Sequence, residues 1–246
     1  MSPDVPAPDP PSFVFRKPEK RAPCVRAPLR FPHMIDVVLP VLNEAAVIPR
    51  VVHSLPVGYR AIVVDNGSTD GSAAVARAVG AMVVFEPARG FGSACYAGLL
   101  AATTDIVCFM DCDGSLDGVD LPGVVAPIRA GTSDLVLGAR VAGRAAWPIH
   151  ARLGNRVLAH QIHRRIGLRV RDLGPMRAAH REPLLALGMT DRRFGWPLEM
   201  VVLAHRAGWR VTEVDVPYEA RVGKSKVTGT VRGTVRTVRD MTAVLR

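Results

Sequence analysis

Between residues 35 and 137 the sequence alternates short apolar, β-branched runs with longer segments of helical spacing. The apolar runs predict five strands, at Ile35–Leu39, Ala61–Val64, Ala81–Phe85, Ile106–Met110 and Leu135–Leu137. The segments between them predict four helices, at Glu44–Ser54, Ser72–Val79, Gly92–Ala102 and Leu121–Ala130. Strands buried on both faces read as continuous apolar runs, so the pattern favours a single α/β domain with a mostly parallel sheet flanked by helices.

The second half of the chain is patterned differently. A helix is predicted from Trp196 to a glycine cap at Gly208, and an alternating strand follows at Arg210–Tyr218. Two basic stretches, Ile149–Ile166 and Val227–Leu245, carry apolar residues at helical spacing, with Arg and His elsewhere on the helix. Such helices either lie in a membrane interface or pack on the domain, and the pattern leaves both open.

The chain is expected to have three parts. Nine of the 20 prolines lie in residues 1–32, which predicts a mobile tail before a folded domain at 33–226 and a C-terminal basic amphipathic helix at 227–246. The first residues lack the pattern of a signal peptide, and no apolar run approaches the roughly 20 residues of a membrane span. The four cysteines include no C-x-x-C pair, so reduced thiols and a cytoplasmic location are expected, with peripheral contact at the inner face of a membrane as a further hypothesis.

The composition excludes collagen, a coiled coil and a disordered protein, because 48% of the residues are hydrophobic and 22% are charged. The net charge of +10 first suggests a polyanionic partner. However, residues 33–138 carry eleven Asp and Glu against five Lys and Arg, whereas residues 139–246 carry 21 Lys and Arg against eight Asp and Glu. This separation favours a site that holds a metal with carboxylates and phosphates with cations, the alternative being a solvated surface.

Polar residues follow four of the predicted strands directly. They are Pro40, Asn43 and Glu44 after the first, Asp65 to Asp70 after the second, Glu86 to Gly92 after the third, and Asp111 and Asp113 after the fourth. Ligands of open α/β sheets bind outside the carboxyl ends of the strands, so these residues predict a ligand site. Each segment taken alone is also compatible with an ordinary turn or a helix N-cap.

The pair Asp111 and Asp113 predicts a metal site. Carboxylates at i and i+2 of an extended chain point to the same side, and two such oxygen ligands suit Mg²⁺ or Mn²⁺ completed by substrate phosphates. An EF-hand is excluded, because Leu116 and Pro122 stand where that loop needs Gly and Glu. An Asp-rich turn remains an alternative.

The segment from Arg89 to Gly98 contains Gly90-x-Gly92 before a helical stretch. A dinucleotide fingerprint is a weak interpretation, because Cys95 occupies the third glycine position and the segment follows the third strand. We therefore expect a glycine-rich turn that lets the helix N-terminus approach a phosphate or sugar.

Taken together, the ordered motifs over residues 34–228 resemble family 2 glycosyltransferases with the Rossmann-like GT-A fold, and most closely their dolichyl- or polyprenyl-phosphate sugar synthases. The resemblance implies that Asp111 binds both donor and metal, and that Asp113 is a metal ligand and catalytic residue. It also implies a nucleotide-sugar site formed by Pro40, Asn43, Glu44, Asp65, Gly67, Arg89 and Gly90.

Two further groups in the basic half are candidate site residues. Arg221, Lys224 and Lys226 place three cations within six residues, which together with Ser225 predicts a phosphate- or acceptor-binding loop, the alternative being a solvated cluster. The resemblance places Glu199 near the acceptor and makes it a candidate catalytic residue. Asp172 is expected to orient a nearby arginine or to form a surface pair.

Together with the resemblance, these observations predict a metal-dependent glycosyltransferase, and the resemblance implies that it is inverting. The expected donor is a UDP- or GDP-sugar, the expected cofactor is Mg²⁺ or Mn²⁺, and the expected acceptor is polyprenyl phosphate. A soluble acceptor, such as a phosphorylated metabolite or a glycan, is the alternative. A basic nucleic-acid-binding protein is a third hypothesis, which the lack of a recognisable reader motif and the 5% aromatic content disfavour. The oligomeric state is not predicted.

Overall fold

The computed structural model describes residues 34–142 and 149–222, together with Met241 and Val244. The segment 1–32, the loop residues Lys224, Ser225 and Lys226, and most of the predicted helix 227–246 lie outside the described residues. Met241 and Val244 pack against the hydrophobic core.

A seven-stranded sheet forms the centre of the domain. Its strands are β1 (Ile35–Val41), β2 (Tyr59–Asp65), β3 (Met82–Phe85), β4 (Ile106–Phe109), β5 (Leu135–Ala142), β6 (Arg177–His180) and β7 (Val211–Tyr218). Their spatial order is β3-β2-β1-β4-β6-β5-β7. Only β6 is antiparallel to its neighbours, β4 and β5, so the predicted mostly parallel α/β sheet is confirmed.

Helices cover both faces of the sheet. They are α1 (Ile48–His53), α2 (Ser72–Ala78), α3 (Phe91–Ala101), α4 (Leu121–Arg129), α5 (Ile149–Ile166), α6 (Arg181–Ala186) and α7 (Trp196–Arg206). Successive side chains of a strand point to opposite faces. In β1, Val37 and Leu39 therefore join α1, α2 and α4 in one core, whereas Val38 joins α3, α5, α6 and α7 in the other.

The five strands and four helices predicted for the first half all occur, as do α7, its left-handed Gly208 and β7. β5 is longer than predicted and runs to Ala142. β6 and α6 were not predicted from the sequence pattern. β6 reads Arg-Ala-Ala-His and has no apolar run, because its small residues pack within the sheet between two strands.

The basic helix α5 packs on the domain. Ile162 is fully buried, and Leu158 and Ile166 pack against the same core, whereas Val157 of the expected apolar stripe is 50% exposed. The expected stripe therefore packs on the domain through Ile162 and Ile166 but not through Val157. Neither α5 nor any other helix in the described ranges combines the length and apolarity that a membrane-spanning segment requires.

A buried ion pair joins the amino ends of the first strands. The carboxylate of Asp36 is fully buried in β1 and accepts hydrogen bonds from Nε and Nη2 of Arg60 at 2.7 and 2.9 Å. It also accepts bonds from the backbone N–H groups of Thr103 and Thr104, which precede β4. Asp36 therefore fixes the alignment of β1, β2 and β4.

We predict that Asp36→Ala lowers the free energy of unfolding by about 3 kcal/mol, because it leaves a partly buried guanidinium and two backbone donors without their acceptor. Urea denaturation measures the loss. The matched control is Asp134→Ala, which breaks the exposed pair with Arg210 and should cost less than about 1 kcal/mol. Equal losses in the two variants would contradict the structural role of Asp36.

Candidate active site

A cavity lies at the carboxyl ends of β1 and β4. The chain adds β2 and β3 on one side of β1 and β4 on the other, and open α/β sheets bind ligands at such a switch point. The cavity encloses about 350 Å³, which suits a small-molecule site. Its lining consists of Pro40, Val41, Leu42, Glu44, Asn66, Arg89, Gly90, Phe91, Ala94, Asp111, Cys112, Asp113, Arg193, Phe194 and Arg221.

The cavity brings together many of the residues predicted from the sequence. Those in its lining are Pro40, Glu44, Arg89, Gly90, Asp111, Asp113 and Arg221. The predicted residues Asn43, Asp65, Gly67 and Glu199 are described but lie outside the lining. Four separate parts of the chain therefore meet at one point: the loops after β1, β3 and β4 and the segment after β7.

The two aspartates follow β4 in a short loop that turns at Gly114, whose φ is +77°. Oδ1 of Asp113 accepts hydrogen bonds from the backbone N–H of Ser115 at 3.0 Å and from its hydroxyl at 2.6 Å. Oδ2 lies 3.4 Å from Nη2 of Arg221. The loop thus fixes the orientation of the Asp113 carboxylate.

The surroundings of Asp111 disfavour the charged form of its carboxylate. Burial and the repulsion of Asp113 raise the pKa of Asp111 to about 7. The guanidinium groups of Arg140, Arg221 and Arg177 act in the opposite direction without cancelling the effect. A cation beside Asp111 and Asp113 would stabilise the charged form of both carboxylates. This loop is therefore a favourable position for a bound cation.

Arg140 in β5 is held by Asp172. Both oxygens of the Asp172 carboxylate accept bonds of 2.7 Å from the guanidinium, and one also accepts a bond from the backbone N–H of Arg140. The guanidinium lies 5.3 Å from the ring centroid of Tyr218. The expectation that Asp172 orients an arginine is confirmed, and its burial excludes a surface pair.

A second cation, Arg177 in β6, is fully buried. Its guanidinium donates to the carbonyl oxygens of Gly174, Pro197 and Leu173. Burial lowers the pKa of Arg177 to about 10, so the side chain stays charged at neutral pH. Neither arginine stands out in the sequence, because Arg140 lies beyond the predicted end of β5 and Arg177 lies in β6, which was not predicted.

The loops after β1 and β2 bind each other beside the cavity. Asn43 has a positive φ of 54°, and its side-chain oxygen accepts a bond of 2.7 Å from the N–H of Thr69. Asp65 accepts a bond of 2.8 Å from the N–H of Ser68, which closes a tight turn that contains Gly67. These residues support the wall that carries Pro40 and Glu44, and their role in binding a nucleotide stays a prediction.

Asn66 is a lining residue that the sequence analysis missed. Its amide group donates to the carbonyl oxygens of Glu86 and Ala88 and accepts a bond from the N–H of Gly90, all at 2.8–2.9 Å. These three bonds fix the loop that carries Arg89 into the cavity. The sequence places Asn66 among ordinary turn residues, so no local signal separates it from them.

The glycines at the start of α3 accommodate the protein's own backbone. The N–H groups of Gly92 and Ser93 donate to the carbonyl oxygens of Arg193 and Arg192, at 3.0 and 2.8 Å. A Cβ at Gly90 would lie 2.1 Å from the Arg192 carbonyl oxygen. The expectation that this helix N-terminus is open to a phosphate or sugar is therefore corrected for two of its donors, because Arg193 and Arg192 accept hydrogen bonds from the N–H groups of Gly92 and Ser93, although Gly90 itself still lines the cavity.

Glu199 holds this same segment in place. Its carboxylate accepts bonds from the N–H and hydroxyl of Thr190 and from the N–H of Asp191, at 2.7–3.1 Å. Arg193 and Phe194, which follow directly, line the cavity. Glu199 thus contacts the segment that lines the cavity rather than the cavity itself, and its catalytic role stays a prediction.

The two carboxylates at the site suit a metal ion whose remaining ligands come from the substrate. Within the described ranges, no three His, Cys, Asp or Glu side chains form a self-sufficient metal site. Asp111 and Asp113 supply two carboxylates, and Mg²⁺ in particular is commonly held by one or two carboxylates plus substrate phosphates. The raised pKa of Asp111 adds an electrostatic reason for a cation here.

The sheet order and the carboxylate pair at its switch point define an α/β enzyme of the GT-A type. The family model for Glycosyl transferase family 2 matches residues 36–184. The chain belongs to that family, which confirms the resemblance drawn from its motifs.

Relatives support the assignment over most of the chain. An uncharacterized glycosyltransferase of Mycobacterium tuberculosis is 52% identical over 214 residues, which cover 86% of this chain and 97% of the relative. A dolichyl-phosphate hexose transferase of Haloferax volcanii is 31% identical over 198 residues, covering 78% of this chain and 86% of the relative.

Among solved structures, the chain is similar to glucosyl-3-phosphoglycerate synthase from Mycobacterium tuberculosis. The complex of that enzyme with Mn²⁺, UDP-glucose and phosphoglyceric acid has a TM-score of 0.68 at 26% identity, and the match covers 87% of this chain and 80% of the other. Its complex with Mg²⁺ and UDP has a TM-score of 0.67 at 27% identity, covering 87% and 77%.

We predict that Gly92→Ala destabilises the protein by about 2 kcal/mol, because the added Cβ would lie 2.7 Å from backbone atoms of Asp191 and Arg192. Urea denaturation measures the effect. The control is Gly123→Ala in α4, where a Cβ would meet no atom nearer than 4.0 Å and should stabilise the helix by up to about 1 kcal/mol. A neutral Gly92 variant would show that the tight contact with residues 191–192 is not required.

Proposed function

We propose that this chain transfers a hexose from a UDP-sugar to a soluble phosphorylated acceptor, with Mg²⁺ or Mn²⁺ bound by Asp111 and Asp113. The observation that carries the proposal is the mutually repelling pair of the partly buried Asp111 and the buried Asp113 at the switch point of a family 2 fold. Such a pair is costly without a cation, and a metal with a nucleotide diphosphate supplies both charge and further ligands.

The donor is proposed to occupy the side of the cavity formed by the loops after β1, β2 and β3. The residues assigned to its nucleotide and sugar are Pro40, Asn43, Glu44, Asp65, Gly67, Arg89, Gly90 and Asp111. The complexes of the glucosyl-3-phosphoglycerate synthase with UDP and UDP-glucose favour UDP over GDP as the donor nucleotide.

The reaction is proposed to be a single displacement with inversion. An acceptor oxygen attacks the anomeric carbon, the bond from that carbon to the diphosphate breaks, and UDP leaves with the electron pair. When bound, the metal stabilises the charge that develops on the leaving diphosphate. Asp111 and Asp113 would hold that metal, and Arg221, which lies beside Asp113, would present a guanidinium to the diphosphate.

The acceptor is proposed to bind from the basic half of the chain. Arg221 lies at the cavity, and Lys224, Ser225 and Lys226 follow it in the sequence. Charge-assisted bonds from such cations suit a phosphate. The phosphoglyceric acid of the similar synthase favours a soluble phosphorylated metabolite over the polyprenyl phosphate expected from the motifs.

Polyprenyl phosphate is the second candidate acceptor. The observation that favours it is the 31% identity to a dolichyl-phosphate hexose transferase over most of both chains. The two acceptors share a phosphate but differ chemically at the attacking atom. A phosphate oxygen is already ionised near neutral pH, whereas a hydroxyl requires a base such as the proposed Glu199.

We predict that Asp113→Asn weakens Mn²⁺-dependent UDP binding at least about tenfold, because it removes one of two charged metal ligands while keeping an acceptor for Ser115. Isothermal titration of UDP with and without Mn²⁺ measures this. The control is Asp117→Asn, which removes the same charge from a nearby turn and keeps a capping side chain there. Unchanged Mn²⁺ dependence in Asp113→Asn would refute the metal assignment.

We predict that label from a radioactive UDP-hexose moves to a soluble phosphorylated acceptor such as 3-phosphoglycerate, and stays in the aqueous phase after extraction with organic solvent. A parallel reaction contains a short-chain polyprenyl phosphate, whose product would partition into the solvent. Asp113→Asn serves as the inactive control. Label found only in the organic phase would establish the second candidate in place of the first.

A further inference from the structure

Arg221 lies between two carboxylates that belong to different loops. One of its nitrogens, Nη2, is 3.4 Å from Oδ2 of Asp113 and 3.6 Å from Oε1 of Glu44. Glu44 follows β1 and Asp113 follows β4, so a single guanidinium nitrogen bridges the two sides of the cavity. Its side chain is 24% exposed and lines that cavity.

These contacts are looser than the structural arginine pairs of the same protein. Arg60 and Arg140 each bind one aspartate through two guanidinium nitrogens, at 2.7–2.9 Å. Both carboxylate distances of Arg221 exceed the usual range of an N–H···O hydrogen bond. In addition, its buried Nε has no hydrogen-bond partner among the described residues. Arg221 therefore neutralises charge without using its full set of donors.

The backbone around Arg221 is nevertheless anchored. The N–H of Val222 donates to the carbonyl oxygen of Asp113 at 3.0 Å, and the N–H of Glu219 donates to that of Ser115 at 2.9 Å. These bonds tie the segment after β7 to the loop that carries the aspartates. A change of partner by Arg221 therefore needs only a movement of its side chain.

A metal and a nucleotide diphosphate change the forces on this side chain in opposite ways. A divalent ion at Asp113 repels the guanidinium at close range, and the repulsion is strong in a partly buried site. A diphosphate offers oxygen acceptors that match the guanidinium geometry in two parallel bonds. A bound metal would therefore displace Arg221 from Asp113, and a diphosphate would give the guanidinium a new partner.

We propose that Arg221 is an exchangeable counter-ion, which neutralises Glu44 and Asp113 in the donor-free protein and transfers to the diphosphate when metal and nucleotide bind. This inference rests on the proposed function. It follows that the metal alone competes with Arg221 for Asp113 and binds weakly, whereas metal and nucleotide strengthen each other's binding. By linkage the strengthening is reciprocal.

The test is Arg221→Gln, with Mn²⁺ binding measured by electron paramagnetic resonance in the absence and presence of UDP. Without UDP, the variant should bind Mn²⁺ about fivefold more tightly than the wild type, because the competing cation is gone. With saturating UDP the order should reverse. Arg221→Lys keeps the charge and should bind Mn²⁺ without UDP almost as weakly as the wild type.

The matched control is Arg210→Gln, which removes an ion-paired arginine at the amino ends of β5 and β7, on the opposite edge of the sheet. It should leave Mn²⁺ binding unchanged in both conditions, and thermal unfolding checks that each variant is folded. If Arg221→Gln binds Mn²⁺ alone no more tightly than the wild type, the counter-ion role is wrong although the proposed function stands. If the wild type binds no Mn²⁺ even with UDP, both fall together.

Discussion

The proximity of Asp111 and Asp113 at the end of β4 is the constraint on which the rest of the site depends. Two carboxylates in one short loop, one partly buried and one buried, repel each other, and this repulsion acts with desolvation to raise the pKa of Asp111. The cations that offset it are Arg140, Arg177 and Arg221, which come from β5, β6 and the segment after β7. The second half of the chain thus provides the electrostatic complement of the first.

Strand β6 explains how the two halves are joined. It pairs antiparallel with β4, which leads into the aspartates, and with β5, which carries Arg140. It also positions the buried Arg177 against three carbonyl oxygens. The carboxylates can be located from the sequence because they follow an apolar run. The arginines that offset their charge cannot be located in this way, because a four-residue strand of small and charged residues owes its structure to its neighbours.

The glycines near α3 show a second limit of local motifs. A helix N-terminus offers free N–H groups, and these are satisfied equally well by a ligand or by another part of the chain. In this protein the carbonyl oxygens of Arg192 and Arg193 take that place, and Glu199 secures the segment that supplies them. The spacing Gly90-x-Gly92 correctly indicates close backbone approach. The partner is about a hundred residues away in sequence, where no local pattern points to it.

The distribution of charge in the folded structure, finally, differs from its distribution along the sequence. Several arginines of the basic half are bound within that half, as Arg140 is by Asp172 and Arg171 by Glu213 and Asp215. Others bridge to the acidic half, as Arg210 does to Asp134. An excess of positive charge in the sequence therefore does not by itself describe a surface for polyanions. The separation of charges along the chain becomes attraction between its two halves, and the cavity lies where one of those attractions, that of Arg221, is loose enough to be exchanged.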